Sequence, residues 1–202
     1  MVKSRIIGNG AEAVVTLSND LVTKTRLKKS YRISEIDDRI TKLRTRAEVK
    51  LITRASSVVN VPKIVSFSEK DKTIVMSYVD GEKLSEFLSS SKDQLLIAKN
   101  LGECVAKLHD SSIVHGDLTT SNMILDNYNN LFFIDFGLSF YSEKFEDKAV
   151  DIHLLKEALQ AKHYEKYNEL WDSFLSGYKK SNNYSKVIDQ LKKVELRGRY
   201  RH

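Results

Sequence analysis

The chain has 202 residues, and 41% of them are hydrophobic, which is enough for one compact unit or two small lobes around a real core. Its 33 lysines and arginines outnumber its 27 aspartates and glutamates, and the formal charge of +6 favours an acidic partner without identifying one. A single cysteine excludes an internal disulfide, and no apolar run approaches the ~20 residues of a membrane span, so we expect a protein of the reducing cytoplasm with no membrane contact.

The first predicted elements are two β-type runs around a turn of small residues, within residues 6–15. The turn has the pattern G-x-G-x-x-A, in which Gly8 and Gly10 allow backbone N–H groups to approach phosphate oxygens closely. This pattern is weak on its own, because ordinary hairpin turns produce it often. The next predicted strand, residues 21–25, carries Lys24, and a lysine on a strand is by default a solvated edge residue.

A long helix is predicted over residues 34–56, with Ser34 as its N-terminal cap and acidic residues in the first turn. Glu48 lies at the edge of the apolar stripe of this helix, so we expect it to face the sheet and to form an ion pair with Lys24. The stripe, at spacings of three and four residues, consists of Ile36, Ile40, Leu43, Ala47 and Leu51.

The same helix and the segment before it are rich in cations. A charge run is usually a solvated face, but ten cations within about thirty residues exceed what solubility needs. We therefore expect a surface for a polyanion or an acidic partner. The ten cations are Arg26, Lys28, Lys29, Arg32, Arg39, Lys42, Arg44, Arg46, Lys50 and Arg54.

Two further strands are predicted over residues 64–67 and 73–78, and the chain then becomes helical. A second apolar stripe indicates a buried helix that ends near His109, where a cation is favourable. The stripe consists of Leu95, Ala98, Leu101, Val105 and Leu108.

Residues 113–137 carry the clearest chemical signal. Two apolar runs, residues 123–125 and 131–134, flank a polar turn, as a β-hairpin requires. Asp117 precedes Asn122 by five residues, and Asp135 follows Asn122 by thirteen. The hairpin therefore holds these three side chains together at one end. A proton acceptor beside two oxygen ligands for a hard cation is what phosphoryl transfer needs.

The pattern H-x-D-x-x-x-x-N followed by D-F-G resembles the catalytic and metal loops of the protein-kinase superfamily. The resemblance implies that Asp117 is the catalytic base or the water-positioning carboxylate, and that Asn122 and Asp135 hold Mg²⁺. It also implies that Lys24 holds the phosphates of ATP and that Glu48 orients Lys24. The residues implied to bind the nucleotide are Ile7, Gly8, Asn9, Gly10, Ala11, Glu12, Ala13, Val14, Val15, Lys24, Glu48, Met76, Tyr78 and Val79.

Further phrases narrow the family: GNGAEAVV, KTRLKKSYR, RTRAEVKLI, HGDLTTSNMIL, IDFGLSF followed by KAVDIHLLKEAL, and a final RGR. Together they resemble the small atypical serine/threonine kinase of the KEOPS complex over essentially the whole chain. The resemblance implies an α+β, minimal two-lobed protein-kinase-like fold with a reduced helical C-lobe and no full activation segment. The N-lobe is then residues 1–79 and the C-lobe residues 80–202.

The resemblance also implies partners and a reaction. The family works with the threonylcarbamoyltransferase subunit and other KEOPS subunits in the modification of adenosine 37 of tRNA. Its members are described as autophosphorylating serine/threonine kinases, and as ATPases when bound to that partner. We expect tRNA contact through the basic helix and the basic tail, residues 197–202. The acceptor, a protein hydroxyl or water, stays open at this point.

Two departures from the ordinary protein-kinase pattern matter. Gly116 stands where an arginine usually precedes the catalytic aspartate, and no long activation loop separates Gly137 from Asp151. Asp151 resembles the aspartate that braces the catalytic loop in kinases. We predict no switching by activation-loop phosphorylation and poor activity on general peptides.

Other functions compete with this one. Aminoglycoside and choline kinases share the H-G-D-x-x-x-x-N loop, but they need a larger C-lobe, and only 65 residues follow Gly137 (202 − 137). RIO-type kinases are near in architecture, but the basic connector and the tail fit them less well. A non-catalytic RNA-binding scaffold with a kinase shape is the alternative from a different class.

Overall fold

The computed structural model describes residues 4–199. Its first part is a five-stranded antiparallel sheet with the order β1-β2-β3-β5-β4. Helix α1 (Ser34–Ala55) follows β3 in the chain and packs on β4 and β5. The strands are β1 (Arg5–Asn9), β2 (Ala13–Ser18), β3 (Leu21–Arg26), β4 (Ile64–Ser68) and β5 (Thr73–Ser77).

The second part is mainly helical and carries two small sheets. In one, β8 (Met123–Asp126) pairs with β6 (Gly81–Lys83) and with β9 (Leu131–Phe133); in the other, β7 (Ile113–Val114) pairs with β10 (Phe140–Tyr141). The helices are α2 (Leu84–Phe87), α3 (Gln94–Asp110), α4 (Phe145–Lys162), α5 (Tyr167–Tyr178) and α6 (Tyr184–Arg199). The predicted α+β, kinase-like fold with a small helical part is confirmed.

Helix α1 has the predicted length but a different buried face. It begins at Ser34 with Ile33 in the N-cap position, so Ser34 does not cap it. Of the predicted apolar stripe, Ile36 is 51% exposed and Leu43 is 52% exposed. Over residues 37–48 the helix buries a polar face instead, because neighbouring groups satisfy its polar atoms, whereas its last turns bury the apolar residues Val49, Leu51, Ile52 and Ala55. The buried residues of that face are Asp37, Thr41, Thr45 and Glu48.

Two threonines explain how a polar helix face can be buried. The Thr41 hydroxyl donates to the Asp37 carbonyl at 2.6 Å, and the Thr45 hydroxyl donates to the Thr41 carbonyl at 2.9 Å. Each hydroxyl is therefore bonded within its own helix and leaves no unpaired donor toward the sheet. Glu48 finds its partners on β3, as described below.

Most of the hydrophobic core lies in the helical part, and the last turns of α1 extend into it. Helices α3 and α5 approach each other through Gly102 and Gly177. A Cβ at Gly102 would lie 2.1 Å from the Phe174 carbonyl oxygen, and a Cβ at Gly177 would lie 1.9 Å from that of Lys99. The predicted stripe of α3 is buried except for Leu95, which is 42% exposed.

The end of the described chain is helical. Arg197, predicted to begin a basic tail, lies in α6 and pairs with Glu146 at the start of α4. Residues 197–199 of the predicted basic tail are therefore helical, and residues 200–202 lie outside the described part of the chain. Within residues 4–199, no helix combines the length and the apolar character that crossing a membrane requires.

Candidate active site

The hairpin of β8 and β9 brings the two metal-ligand candidates to the same end. Met123 lies opposite Phe133 in the register, and the Ile134 N–H donates to the Asn122 carbonyl at 3.0 Å. Asn122 thus directly precedes Met123 at this end of the hairpin, and Asp135 directly follows Ile134. Asp135 has a φ of +60°, a left-handed conformation that is uncommon outside glycine and that clusters at functional sites.

Asp117 is tied to Asn122 by direct contacts. The Asn122 amide nitrogen donates to Asp117 Oδ2 at 2.7 Å and to the Asp117 carbonyl at 2.9 Å. The amide nitrogen is used in the loop, so the amide oxygen of Asn122 is the atom left for a cation. The structure therefore brings together the three residues that the spacing had selected.

Asp151 on α4 holds the loop in front of Asp117. Its carboxylate accepts from the His115 N–H at 2.8 Å and the Gly116 N–H at 2.9 Å, and it also contacts His109 Nε2 at 3.2 Å. The other ring nitrogen of His109 lies 2.9 Å from the Tyr178 hydroxyl. His109 is therefore a buried bracing residue, where the sequence suggested only a favourable cation at a helix end.

Gly116 cannot carry a side chain in this arrangement. Its φ is +78°, and a Cβ there would lie 2.2 Å from the Leu138 carbonyl oxygen. The arginine of ordinary kinases is thus excluded at this position by the backbone itself.

Lys24 links the sheet to both carboxylates. Its ammonium lies 2.7 Å from Glu48 Oε1 and 2.7 Å from Asp135 Oδ1, so the predicted ion pair with Glu48 is confirmed. Burial opposes the ionisation of Asp135, but the charge and hydrogen bond of Lys24, with the Gly137 N–H, hold the pKa of Asp135 below its ordinary value. Asp135 is therefore ionised at neutral pH, as a metal ligand must be.

The turn between β1 and β2 is held by charged groups that the sequence did not indicate. The Gly10 N–H donates to the Ala13 carbonyl at 3.1 Å. Arg44 of α1 pairs with Glu12 at 3.0 Å, and Lys29 contacts both Glu12 and the Ala11 carbonyl. A Cβ at Gly10 would meet nothing closer than 3.8 Å, so the fold alone does not require glycine there.

An inner cavity of about 350 Å³ lies between the sheet and the hairpin. Apolar side chains from both sides give it walls that suit a planar base. Of the predicted site residues, it is lined by Ile7, Gly8, Val15, Lys24, Glu48, Met76, Tyr78, Val79, Asn122 and Asp135. The sequence prediction missed Val22, Ile52, Pro62, Ile124, Ile134 and Phe136 on its walls.

Two main-chain donors at the end of β5 are already bonded to other carbonyl groups of the protein. The Tyr78 N–H donates to the Asp20 carbonyl at 2.9 Å, and the Ser77 N–H donates to the Lys63 carbonyl at 2.9 Å. Both donors are used within the sheet. The Val79 N–H is then the main-chain donor at this edge of the cavity.

An outer cavity, also of about 350 Å³, lies beneath the β1–β2 turn. Lys24 and Asp135 line both cavities, so the two cavities adjoin at these residues. The predicted residues Gly8, Asn9, Gly10, Ala11, Glu12, Ala13, Val15 and Asp117 line the outer cavity. Val14 lines neither, because it alternates with Val15 on β2 and its side chain is on the other face.

Two arginines in the outer cavity were not predicted as site residues. Arg26 lies two positions after Lys24 on β3, and strand alternation gives both the same face. Arg26 bonds Glu48 Oε2, so one carboxylate holds two cations. The alternation of Val22, Lys24 and Arg26 was the signal that could have found it. Arg44 reaches this cavity from α1.

The basic surface is more neutralised than the composition suggested. Of its ten cations, six form ion pairs: Arg26, Lys29, Arg32, Lys42, Arg44 and Arg46. Lys28, Arg39, Lys50 and Arg54 form none with the described residues, although Arg54 lies 5.0 Å from the centre of the Tyr141 ring.

Comparisons with known proteins agree with this geometry. Residues 1–173 match the protein kinase domain family. The KEOPS complex subunit Bud32 of Pyrococcus abyssi is 38% identical, over 98% of this chain and 96% of the relative. A probable serine/threonine-protein kinase of Archaeoglobus fulgidus, described as a BUD32 homolog, is 38% identical over 95% of this chain and 94% of the relative.

Two longer proteins match over part of their length. A probable bifunctional tRNA threonylcarbamoyladenosine biosynthesis protein of Methanococcus vannielii is 38% identical, and the chain spans 36% of it. The solved bifunctional kinase-methyltransferase WbdD superposes with a TM-score of 0.59 at 17% identity, over 89% of this chain and 47% of that one. The WbdD likeness concerns the fold alone. On the family match and the two near full-length relatives, the chain belongs to the protein-kinase family, in its small Bud32 branch.

Proposed function

We propose that the chain is a Mg-ATP-dependent phosphotransferase that acts as an autophosphorylating serine/threonine protein kinase, as an ATPase, or as both. One observation carries this proposal. Lys24 contacts both Glu48 and Asp135 at 2.7 Å, while Asn122, at the closing end of the same hairpin, holds Asp117. A cation that can bind phosphates, two oxygen ligands and a proton acceptor are thus assembled around two adjoining cavities.

The metal proposed for this site is Mg²⁺. Asp135 supplies an ionised carboxylate and Asn122 an amide oxygen, which are the ligands that hard cations prefer. Among residues 4–199, no cluster of three acidic, histidine or cysteine side chains could hold a metal without help. Mg²⁺ is usually held by one or two protein ligands together with substrate phosphates and water, and Asp135 and Asn122 would be those two ligands. When bound, Mg²⁺ neutralises the charge that develops on the transferred phosphoryl group.

The nucleotide is proposed to lie with its base in the inner cavity and its phosphates toward the outer one. The Val79 N–H and the carbonyls of residues 77–79 face the adenine edge, and Met76 and Val15 pack on the ring. Lys24, oriented by Glu48, binds the α- and β-phosphates. The backbone N–H groups of residues 8–13 cover the phosphates. In this arrangement residues 1–79 form the N-lobe and residues 80–202 the C-lobe.

Asp117 is proposed to accept the proton of the attacking hydroxyl or to position a water molecule. Its carboxylate is fixed by Asn122, and its loop is fixed by Asp151 through two backbone N–H groups. A protein hydroxyl and a water molecule need the same in-line geometry to accept the phosphoryl group. What lies next to the terminal phosphate, therefore, decides between a kinase and an ATPase.

The relatives' names indicate a KEOPS complex and tRNA threonylcarbamoyladenosine biosynthesis, and these are proposed for this chain. The family resemblance adds the threonylcarbamoyltransferase subunit as the partner and adenosine 37 as the modified position. The tRNA contact would use the four cations without an ion pair, led by Lys28 and Arg39, together with the chain end. A cytoplasmic location stays a prediction from composition.

The test follows the γ-phosphate of labelled Mg-ATP and scores phosphate release separately from label on protein. Wild type, Asp117→Ala and the exposed control Asp189→Asn are compared, each alone and with the transferase partner. We expect wild type and the control to consume ATP, and we expect Asp117→Ala to consume it at least about 100-fold more slowly. Equal behaviour of wild type and Asp117→Ala would refute the catalytic proposal and favour a scaffold.

A further inference from the structure

Arg26 is a buried cation to which the proposed function assigns no role. Its side chain is 5% exposed, and it shares Glu48 with Lys24, the two cations taking different oxygens of one carboxylate. Lys24 alone would neutralise Glu48. A second buried guanidinium carries a desolvation cost that a stabilising role does not readily offset. A buried extra charge of this kind is a mark of function.

The position of Arg26 along the cleft is specific. The inner cavity reaches the segment after β5 and includes Lys24 but not Arg26, whereas the outer cavity includes both, together with Asp117. Arg26 therefore lies on the side of Lys24 that is away from the base-binding end. A polyphosphate that starts at the inner cavity and passes Lys24 has its last phosphate beside Arg26 and Asp117.

The Arg26 guanidinium has an unused hydrogen-bond donor on this side of Lys24. Its Nε is buried and has no hydrogen-bond partner among the described residues, although buried donors are nearly always bonded. A Cβ at Gly137 would lie 3.5 Å from Arg26 Nη2 and 3.3 Å from Lys24 Nζ, so the two cationic heads face the same glycine. Gly137 lies two residues after the metal-ligand candidate Asp135.

The charges around Arg26 are compatible with this position. Lys24 and Arg26 share Glu48, and Lys24 also contacts Asp135. Arg26 therefore has half of one carboxylate as its charge partner and can still attract a phosphate. Arginine suits a terminal phosphate, because it matches that group with more than one donor.

We propose that Arg26 recognises the terminal phosphate of a nucleoside triphosphate and thereby makes the site prefer ATP to ADP. The proposal rests on the nucleotide site of the proposed function. It assigns to Lys24 the phosphates that ATP and ADP share, and to Arg26 the phosphate that ADP lacks.

Titration calorimetry of AMP, ADP and ATP at one fixed Mg²⁺ concentration tests this, with wild type, Arg26→Gln, Lys24→Gln and the exposed control Lys70→Gln. We expect Arg26→Gln to reduce the ATP-to-ADP affinity ratio by at least about tenfold and to leave AMP binding unchanged. Lys24→Gln should weaken ADP and ATP alike, and Lys70→Gln should change the affinity for none of the three nucleotides.

Arg26→Lys guards against a folding defect, since it keeps a cation for Glu48 but offers fewer fixed donors. It should unfold at the wild-type temperature and show an intermediate ATP-to-ADP ratio. Equal loss of ADP and ATP affinity in Arg26→Gln, or an unchanged ratio in both Arg26 variants, would overturn the proposal while leaving the nucleotide site intact. Failure of wild type to bind any of the nucleotides would instead refute the proposed function, and this inference with it.

Discussion

Asp151 offers the sharpest test of how the fold supports the site. It is 1% exposed, and its carboxylate accepts from the backbone N–H groups of His115 and Gly116 at 2.8 and 2.9 Å. A hydrogen bond to a charged group contributes roughly 1.5–3 kcal/mol, so Asp151→Ala should cost about 3–6 kcal/mol. That is a large share of a typical domain stability of about 5–15 kcal/mol.

Asp151→Asn is the variant to measure, because it keeps one acceptor oxygen and the side-chain volume. We expect Asp151→Asn to reduce the free energy of unfolding in urea by about 1.5–3 kcal/mol, which is half of the loss expected for Asp151→Ala. Turnover should fall by about 100-fold, because the loop that carries the proton acceptor is no longer held. Glu157→Gln, an exposed position on the same helix, is the control and should change neither quantity. Full turnover with less than about 1 kcal/mol lost in Asp151→Asn would refute the bracing role.

Three other outcomes are expected. Burial, reinforced by Lys162, lowers the pKa of His163, so the unfolded chain binds more protons than the folded one. This part of the stability is complete above the ordinary pKa of 6.5 and is lost as the pH falls below it. His163→Gln should therefore flatten the pH dependence of the free energy of unfolding between pH 7 and 5. Gly177→Ala should destabilise by at least about 2 kcal/mol, because its Cβ would lie 1.9 Å from the Lys99 carbonyl oxygen, while Gly10→Ala should leave the unfolding midpoint unchanged. Unrelated peptides should be poor substrates; robust labelling of them that depends on the catalytic-loop aspartate would contradict the role given to the short segment after the D-F-G motif.

Local sequence was sufficient for the catalytic hairpin. Apolar runs on either side of a polar turn determine a short antiparallel pair, and a fixed spacing along such a ribbon determines which side chains share its end. Asn122 and Asp135 therefore lie where the pattern indicated. Glu48 was also placed correctly, because a buried helix carboxylate opposite a strand lysine is stabilised by pairing with it.

Tertiary structure decided what depends on distant segments. Periodicity predicted that Ile36 and Leu43 would pack on the sheet, but the face of α1 that is buried over residues 37–48 is polar, since Lys24 and Arg26 satisfy Glu48 and the helix satisfies its own threonines. The resemblance indicated Asp151 as a brace, but its contact with Gly116, 35 residues away in the chain, depends on the packing of α4. A sequence pattern records local preference, whereas the pairing of buried charges depends on which segments meet in the fold. The second cation on Glu48, Arg26, was therefore found only in the tertiary structure.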